Sequence, residues 1–427
     1  MRPREKGWLK EYLEFRKELF KDLTHEKPAS HPEQSLYRIM HPTGLMYGQS
    51  VGKIDHPLAE NWDEKDRMKI LLAESLISSS LVYHNKPLNS HEEISEVFVQ
   101  SLESIGSFYN NIYPELATPT RTIFGKKRSA VDLAERILEK RVNRAVSFKG
   151  NFWSSFFHNS LLFLDVYIFG QWIHTNADRI VADFFRYERE ELRFSVIKVI
   201  AVAAHSDQVL NYEEKRMLEY FLQGTELPPE KRREALMIFN KGVSVDEINL
   251  PAENSWILKK YFLEIAILTT WADRKVKKAE QVFLRYFADY LGFTEDDLEY
   301  SMIAIEGFVL EHWTHLEYLQ DKQDYERVSE HYMERVSKLA ERNKSRLIRE
   351  VQESSALVAL LEKARAQELT LAESEKVQEQ LLNALRTIPT FAIVTLPQRF
   401  LTLSILMKIL PRDIFFFDKD TYFDKQS

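Results

Sequence analysis

A phrase written twice constrains this chain more than any other feature of its sequence. "AAHSDQVLNYEEKRMLEYF" (203–221) is echoed by "TTWADRKVKKAEQVFLRYF" (269–287), at a constant offset of 66 residues. Asp207 falls on Asp273, Leu210 on Val276, Glu214 on Glu280, Leu218 on Leu284, Tyr220 on Tyr286 and Phe221 on Phe287. The spacing is that of an apolar helix running into an acid, a short connection, and a new helix with a glutamate in its first turn. The repeat is either a duplicated helical scaffold, with Leu210 and Val276 filling equivalent core positions, or a duplicated acidic site.

The rest of the chain has the same periodicity. Starts of the cap-x-x-acid kind occur at Ser90–Glu93, Ser129–Asp132, Asn211–Glu214, Thr294–Asp297 and Thr370–Glu373. Helices are expected near 5–23, 64–84, 91–113, 130–145, 152–173, 177–206, 212–223, 229–240, 254–273, 278–291, 295–319, 324–352, 354–366 and 371–387. No segment reads as a strand, so the expected fold class is all-α. Glycine is scarce, at 12 in 427 residues, and no phosphate-cradling G-x-G-x-x-G or P-loop motif occurs, so no nucleotide cofactor is expected. With no cysteine, disulfides, thiolate metal sites and cysteine nucleophiles are excluded.

Five segments are expected. Residues 1–150 form an N-terminal helical region, in which the Pro- and His-rich stretch 24–63 reads as a long surface connection. Residues 151–188 hold an apolar central helix, "FWSSFFHNSLLFLDVYIFGQWI" (152–173), long enough to span a bilayer. Asp165 and the polar Ser154, Ser155, His158, Asn159 and Gln171 favour burial in protein, with Asp165 bonded to a neighbouring helix. Residues 189–300 hold the duplication, 301–367 long charged helices, and 368–427 an apolar, Pro-broken tail.

Three sets of residues are candidates for function. The first is the acids Asp207, Glu214, Asp273 and Glu280, which could bring four carboxylates together as an oxygen-ligand set for Ca²⁺ or Mg²⁺. A capping box accounts for Glu214, with Asn211 as cap, but Lys277 stands at the cap position of the second copy. As exposed groups these acids would add only a few tenths of a kcal/mol to the fold. The second set is cationic. Segment 121–149, with Lys126, Lys127 and Arg128, is basic, and so is the edge Lys338, Arg342, Lys344, Arg346 and Arg349 of a long charged helix; both suit phosphate. Third come Pro389, Pro397, Arg399, Lys408 and Pro411 in the tail. His312 and His315 in "EHWTH" have zinc-like spacing without a third ligand.

The duplicated phrase resembles the TerB family, helical modules associated with tellurite resistance, with Gln208 and Arg274 where that family has glycine. The tail, through "LRTIP", its Pro-broken apolar run and "ILMKILP", resembles the ribosome-binding-like domain of the Letm family. Together they resemble bacterial Letm-related, biofilm-associated proteins. The resemblance implies a non-enzymatic interaction protein at the ribosome or membrane surface, with a role in ion homeostasis or biofilm processes and with protein partners. Its expected location is the cytoplasm, in association with the inner membrane. Two alternatives are an integral membrane protein exchanging cations for protons, and a divalent-metal-dependent enzyme built on the four acids.

Overall fold

The computed structural model describes residues 2–25, 32–48, 50, 56–84, 86–121, 127–145, 156, 159–175, 179–206, 212–224, 227–249, 255–271, 278–313, 322–386, 396–397 and 400–415. They hold 17 α-helices and no strand, an all-α fold. In chain order these are α1 (Trp8–His25), α2 (Pro32–Met40), α3 (Glu64–His84), α4 (His91–Ile112), α5 (Ala130–Ala145), α6 (Leu161–Thr175), α7 (Arg179–Ala204), α8 (Tyr212–Gly224) and α9 (Pro229–Lys241). They continue as α10 (Trp256–Thr270), α11 (Lys278–Tyr290), α12 (Glu295–Glu311), α13 (Lys322–Arg342), α14 (Lys344–Glu353), α15 (Ser355–Ala366), α16 (Leu371–Arg386) and α17 (Leu403–Ile409). The chain divides into two compact units, Met1–Leu298 and Glu299–Ser427.

The duplication reaches further than the echoed phrase. The end of α7 and the end of α10, both ends of α8 and α11, and the starts of α9 and α12 all differ by the same 66 residues. The cause is the matched apolar face. Leu218 and Phe221 are buried in one copy, Leu284 and Phe287 in the other. In the first unit α7 packs along α10, α8 returns on α7, and α11 returns on α10.

The centre of that unit is α3 against α6. Both are buried almost all round, α6 through apolar side chains and α3 with Lys69, Glu74 and several serines among its own, which marks helices enclosed by others rather than lying at a surface. Every residue from Leu161 to Gly170 is buried. Gly170 lets the two backbones approach, since a Cβ there would stand 2.9 Å from the Tyr83 ring and 3.1 Å from Ser79 Oγ. Around this centre α4 packs on α5, and α1 covers α3. No helix among the described residues is long and apolar enough to cross a membrane. Within the apolar run of 152–173, the described helix Leu161–Thr175 is thus enclosed by protein.

Residues 24–63 are not a surface connection throughout. Helix α2 lies within them, followed by 3₁₀ turns at His41–Thr43 and Leu45–Tyr47, and Leu36, Tyr37, Met40, Leu45, Met46 and Tyr47 are all buried. Prolines and histidines disguised a short helix whose apolar residues fall at helical spacing. Gly48 closes the segment with φ +62°, and its carbonyl accepts from Asn159 Nδ2 at 2.9 Å. A Cβ on Gly48 would meet the backbone of Phe156 and Ser160 within 2.7 Å, so this close approach requires glycine.

In the second unit α14 packs on α15 and α16, and α17 sits on α13 and α16. The helix expected over 324–352 is broken at Asn343, which ends α13 and begins α14. Tyr332, Val336 and Leu339 on α13, and Leu347 and Val351 on α14, form one buried face across the break.

Candidate functional site

The duplicated glutamates occupy equivalent, hidden places. Glu214 and Glu280 are 3% and 2% exposed, in the first turns of α8 and α11. The expectation that they are solvent-facing acids is corrected by the helix geometry. Glu214, Leu218 and Phe221 stand at i, i+4 and i+7, on one face, and that face is the buried one. The same holds for Glu280, Leu284 and Phe287. Asp207, Leu210, Asp273 and Val276 lie outside the described residues. Among the described residues no group of three or more histidines or carboxylates is placed to hold a metal ion. His312 is buried with Nδ1 3.0 Å from the Phe308 carbonyl, while His315 lies outside the described residues.

Asp165 on α6 does bond to neighbouring helices. Arg141 of α5 meets it with two donors, Nε to Oδ2 at 2.5 Å and Nη2 to Oδ1 at 3.2 Å. Tyr109 donates to Oδ2 at 3.0 Å, and Tyr113 donates to Oδ1. Burial alone would lower the pKa of Arg141, but Asp165 outweighs it and the guanidinium is held more firmly charged than usual. Such a pair, with its oxygens occupied, is a buried structural tie of four side chains.

A second buried network was not anticipated. On α10, Glu264 accepts from Tyr37 and, at 2.9 Å, from Tyr47, while Tyr47 Oη lies 2.7 Å from His41 Nε2. Lys260, one turn earlier, donates to the Asp297 carbonyl at 3.0 Å. Burial, reinforced by Lys260, holds His41 neutral with a pKa pushed down to about 3. Glu33 of α2 accepts the Ile257 amide at 2.9 Å, capping the start of α10. The signal in the sequence was Lys260 and Glu264 inside "WILKKYFLEIAILTT", two charges in an apolar helix.

A cavity of about 690 Å³ opens between α3, α4 and α6, lined by Tyr83, Ser101, Ser104, Trp172 and His174 among others. The Tyr83 and His174 rings lie 5.8 Å apart, and the hydroxyl of Ser80 on the cavity wall is turned to the Leu76 carbonyl at 3.3 Å.

In the second unit the expected basic edge is present. Lys338, Arg342, Arg346 and Arg349 are exposed at i, i+4, i+8 and i+11 across α13 and α14, opposite the buried Val336, Leu347 and Val351. Lys338 pairs with Glu334 and Arg342 with Glu299, each at 2.8 Å; the first pair is solvent-exposed and in the second Glu299 is half-buried. Lys344 is drawn instead to Asp413. In the tail Lys408 is exposed beside Met407 on α17, while Pro397 and Pro411 are buried and thus shape the fold. Pro389 and Arg399 lie outside the described residues, as does Lys126. Lys127 is exposed, and Arg128 Nε is committed to the Pro119 carbonyl at 2.9 Å.

Beneath this edge, Glu306 of α12 meets Arg335 of α13 at 2.8 Å. Its other oxygen and the Tyr332 hydroxyl are buried without a hydrogen-bond partner. Burial pushes the Glu306 carboxyl up to about 7, against the pull of Arg335.

No protein-family model, curated protein or solved structure matches this chain.

Proposed function

We infer that this chain is a non-catalytic helical interaction protein, of the Letm-related type its tail resembles, and that its second unit docks on the phosphates of the ribosome or of an anionic membrane surface. The observation that carries this reading is the row of exposed cations Lys338, Arg342, Arg346 and Arg349. Four cations on one edge match the repeating negative charge of an RNA backbone or a lipid surface. The surface ion pairs of Lys338 and Arg342 oppose this little, because both cations are exposed and such pairs are worth about 0–1 kcal/mol. In this reading the buried charges of the first unit serve its frame: Asp165 with Arg141, and Glu264 with its tyrosines, spend their polar atoms on one another.

The test is co-sedimentation of the full chain with purified ribosomes and, separately, with vesicles of phosphatidylglycerol or of phosphatidylcholine, across a salt series. Retention on ribosomes or on the anionic vesicles that falls steeply with salt is expected. It should drop at least tenfold when Lys338, Arg342, Arg346 and Arg349 are all changed to Glu. Retention on neither target, or retention unchanged in that variant, would sink the reading.

A further inference from the structure

Helix α11 turns a large apolar face to solvent. Val282 and Tyr286 are each 59% exposed and Tyr290 is 39% exposed, at i, i+4 and i+8, with Ala279 exposed one turn before. Spacings of 3, 4 and 4 residues place all four side chains on one stripe, opposite the buried Glu280, Leu284 and Phe287. The stripe runs about 16 Å along the axis at 1.5 Å per residue.

The other copy of the module treats the same positions differently. There Arg216 replaces Val282 and Gly224 replaces Tyr290. Arg216 donates to the Tyr220 hydroxyl at 2.6 Å, and its guanidinium lies over both the Tyr220 and the Tyr212 rings, 5.6 Å from each centroid. The first copy therefore sets a cation against its own tyrosines. The second has a valine in place of that cation, the same central tyrosine, and a second tyrosine at the end of the stripe.

We propose that α11 is a self-association surface, on which two copies of this chain pair their α11 helices antiparallel about Tyr286. Charge complementarity selects this occupant. Arg285 and Asp289 are exposed, one turn apart, on the same flank of the stripe. In an antiparallel pair with two-fold symmetry like flanks face each other with direction reversed. Arg285 of each copy then lies beside Asp289 of the other, giving two equivalent ion pairs around a core of Val282, Tyr286 and Tyr290. A parallel two-fold pairing would set this flank against the opposite one, on the Phe283 side of the stripe, and forfeit both. Arg285 also lies 3.6 Å from Glu295 of its own chain, an exposed contact that does not compete strongly with a second one. The stripe covers less than a standard interface of about 800 Å² per partner, so the pairing is a weak, concentration-dependent one. The proposal does not rest on the docking assigned to the second unit.

Sedimentation velocity of the full chain from low micromolar to near-millimolar concentration tests it. A shift from monomer to dimer is expected. Tyr286→Arg should weaken the dimer more than tenfold while leaving helix content and melting temperature unchanged, because Tyr286 is exposed. Asp289→Arg should weaken it by setting like charges face to face, and Arg285→Asp with Asp289→Arg together should restore it, since the swap rebuilds both pairs. A chain that stays monomeric at every concentration overturns the proposal and leaves the stripe to a partner of another kind. A dimer indifferent to Tyr286→Arg also overturns it.

Discussion

The two copies of the helical module keep the same apolar anchors and differ at what surrounds them. Position by position at the 66-residue offset, Phe194 becomes Lys260, Lys198 becomes Glu264, and Asn240 becomes Glu306. In the first copy the half-buried Lys198 reaches the Glu247 carbonyl at 2.6 Å, and Lys198 and Lys231 lie over the buried Phe194 ring at 5.5 and 4.7 Å. In the second copy the charges are inside: Lys260 and Glu264 are buried under α2 and the turns that follow it. Asn240 is exposed, whereas Glu306 is buried against α13. A helix pair can thus keep its register while added segments convert its outer positions into polar core. What differs is whatever the added chain had to meet.

Breaking that contrast at its sharpest point gives the largest expected effect. Glu264→Ala should destabilise the protein by about 3–5 kcal/mol, because it leaves the buried Lys260 without its acid and the Tyr37 and Tyr47 hydroxyls without their acceptor. Lys198→Ala, the same position in the first copy, should cost only about 1 kcal/mol, the net worth of one hydrogen bond at a half-buried site. Denaturant unfolding of the two variants measures both. Equal losses would mean that the buried acid contributes no more than the half-buried cation.

A smaller effect sharpens the comparison at Asn240 and Glu306. The folded-state pKa of Glu306, at about 7, lies above its ordinary value of 4.5. The folded chain therefore binds this proton more tightly than the unfolded chain does. The associated stability is present in full below about pH 4.5 and is lost as pH rises through about 7, a change on the order of 3 kcal/mol. Hydrogen exchange of α12 and α13 amides in the full chain should show less protection, relative to intrinsic rates, at pH 8 than at pH 5. Glu306→Gln should flatten that dependence, and Asn240→Asp should not create one. Protection that does not change with pH in the unmodified chain would refute the assignment.

Much of this frame was legible in the sequence, for a physical reason. Helix ends are set by local chemistry. The capping box at Ser90 and Glu93, with the Glu93 amide 3.1 Å from Ser90 Oγ, stands where its pattern placed it, as do the starts of α8 and α11. The apolar run holding Asp165 announced a buried helix, since a single acid in such surroundings needs a partner. What was not legible depends on contacts distant in sequence. Tyr37 and Glu264 are 227 residues apart, and nothing local to either announces the other. Composition misled at α2, where prolines and histidines concealed Leu36, Tyr37 and Met40. The depth of Glu214 and Glu280 was missed because both were read as exposed acids at helix starts, although their spacing from Leu218 and Leu284 already placed them on the inner face.

That depth makes the smallest of these effects the most direct test of what the two copies share. Glu214→Gln and Glu280→Gln each keep the side chain's shape and remove its charge. A carboxylate in the first turn of a helix gains from the positive end of the helix dipole and from amide donors there, and hydrogen bonds to a charged group are worth about 1.5–3 kcal/mol against about 1 for a neutral one. The amide of glutamine retains part of this, so each substitution should cost about 1–2 kcal/mol. The two costs should agree, since the glutamates occupy equivalent places. Unfolding measured in chelator and again in excess Mg²⁺ or Ca²⁺ separates frame from ion site. An ion held by these acids at about 100 times its dissociation constant would add about 2.7 kcal/mol to the unmodified chain, and the double Gln variant would lose that increment. The burial of both carboxylates on the face that carries Leu218 and Leu284 leads us to expect the same cost with and without the ion. A cost that appears only when the ion is present would instead make the duplicated glutamates ligands.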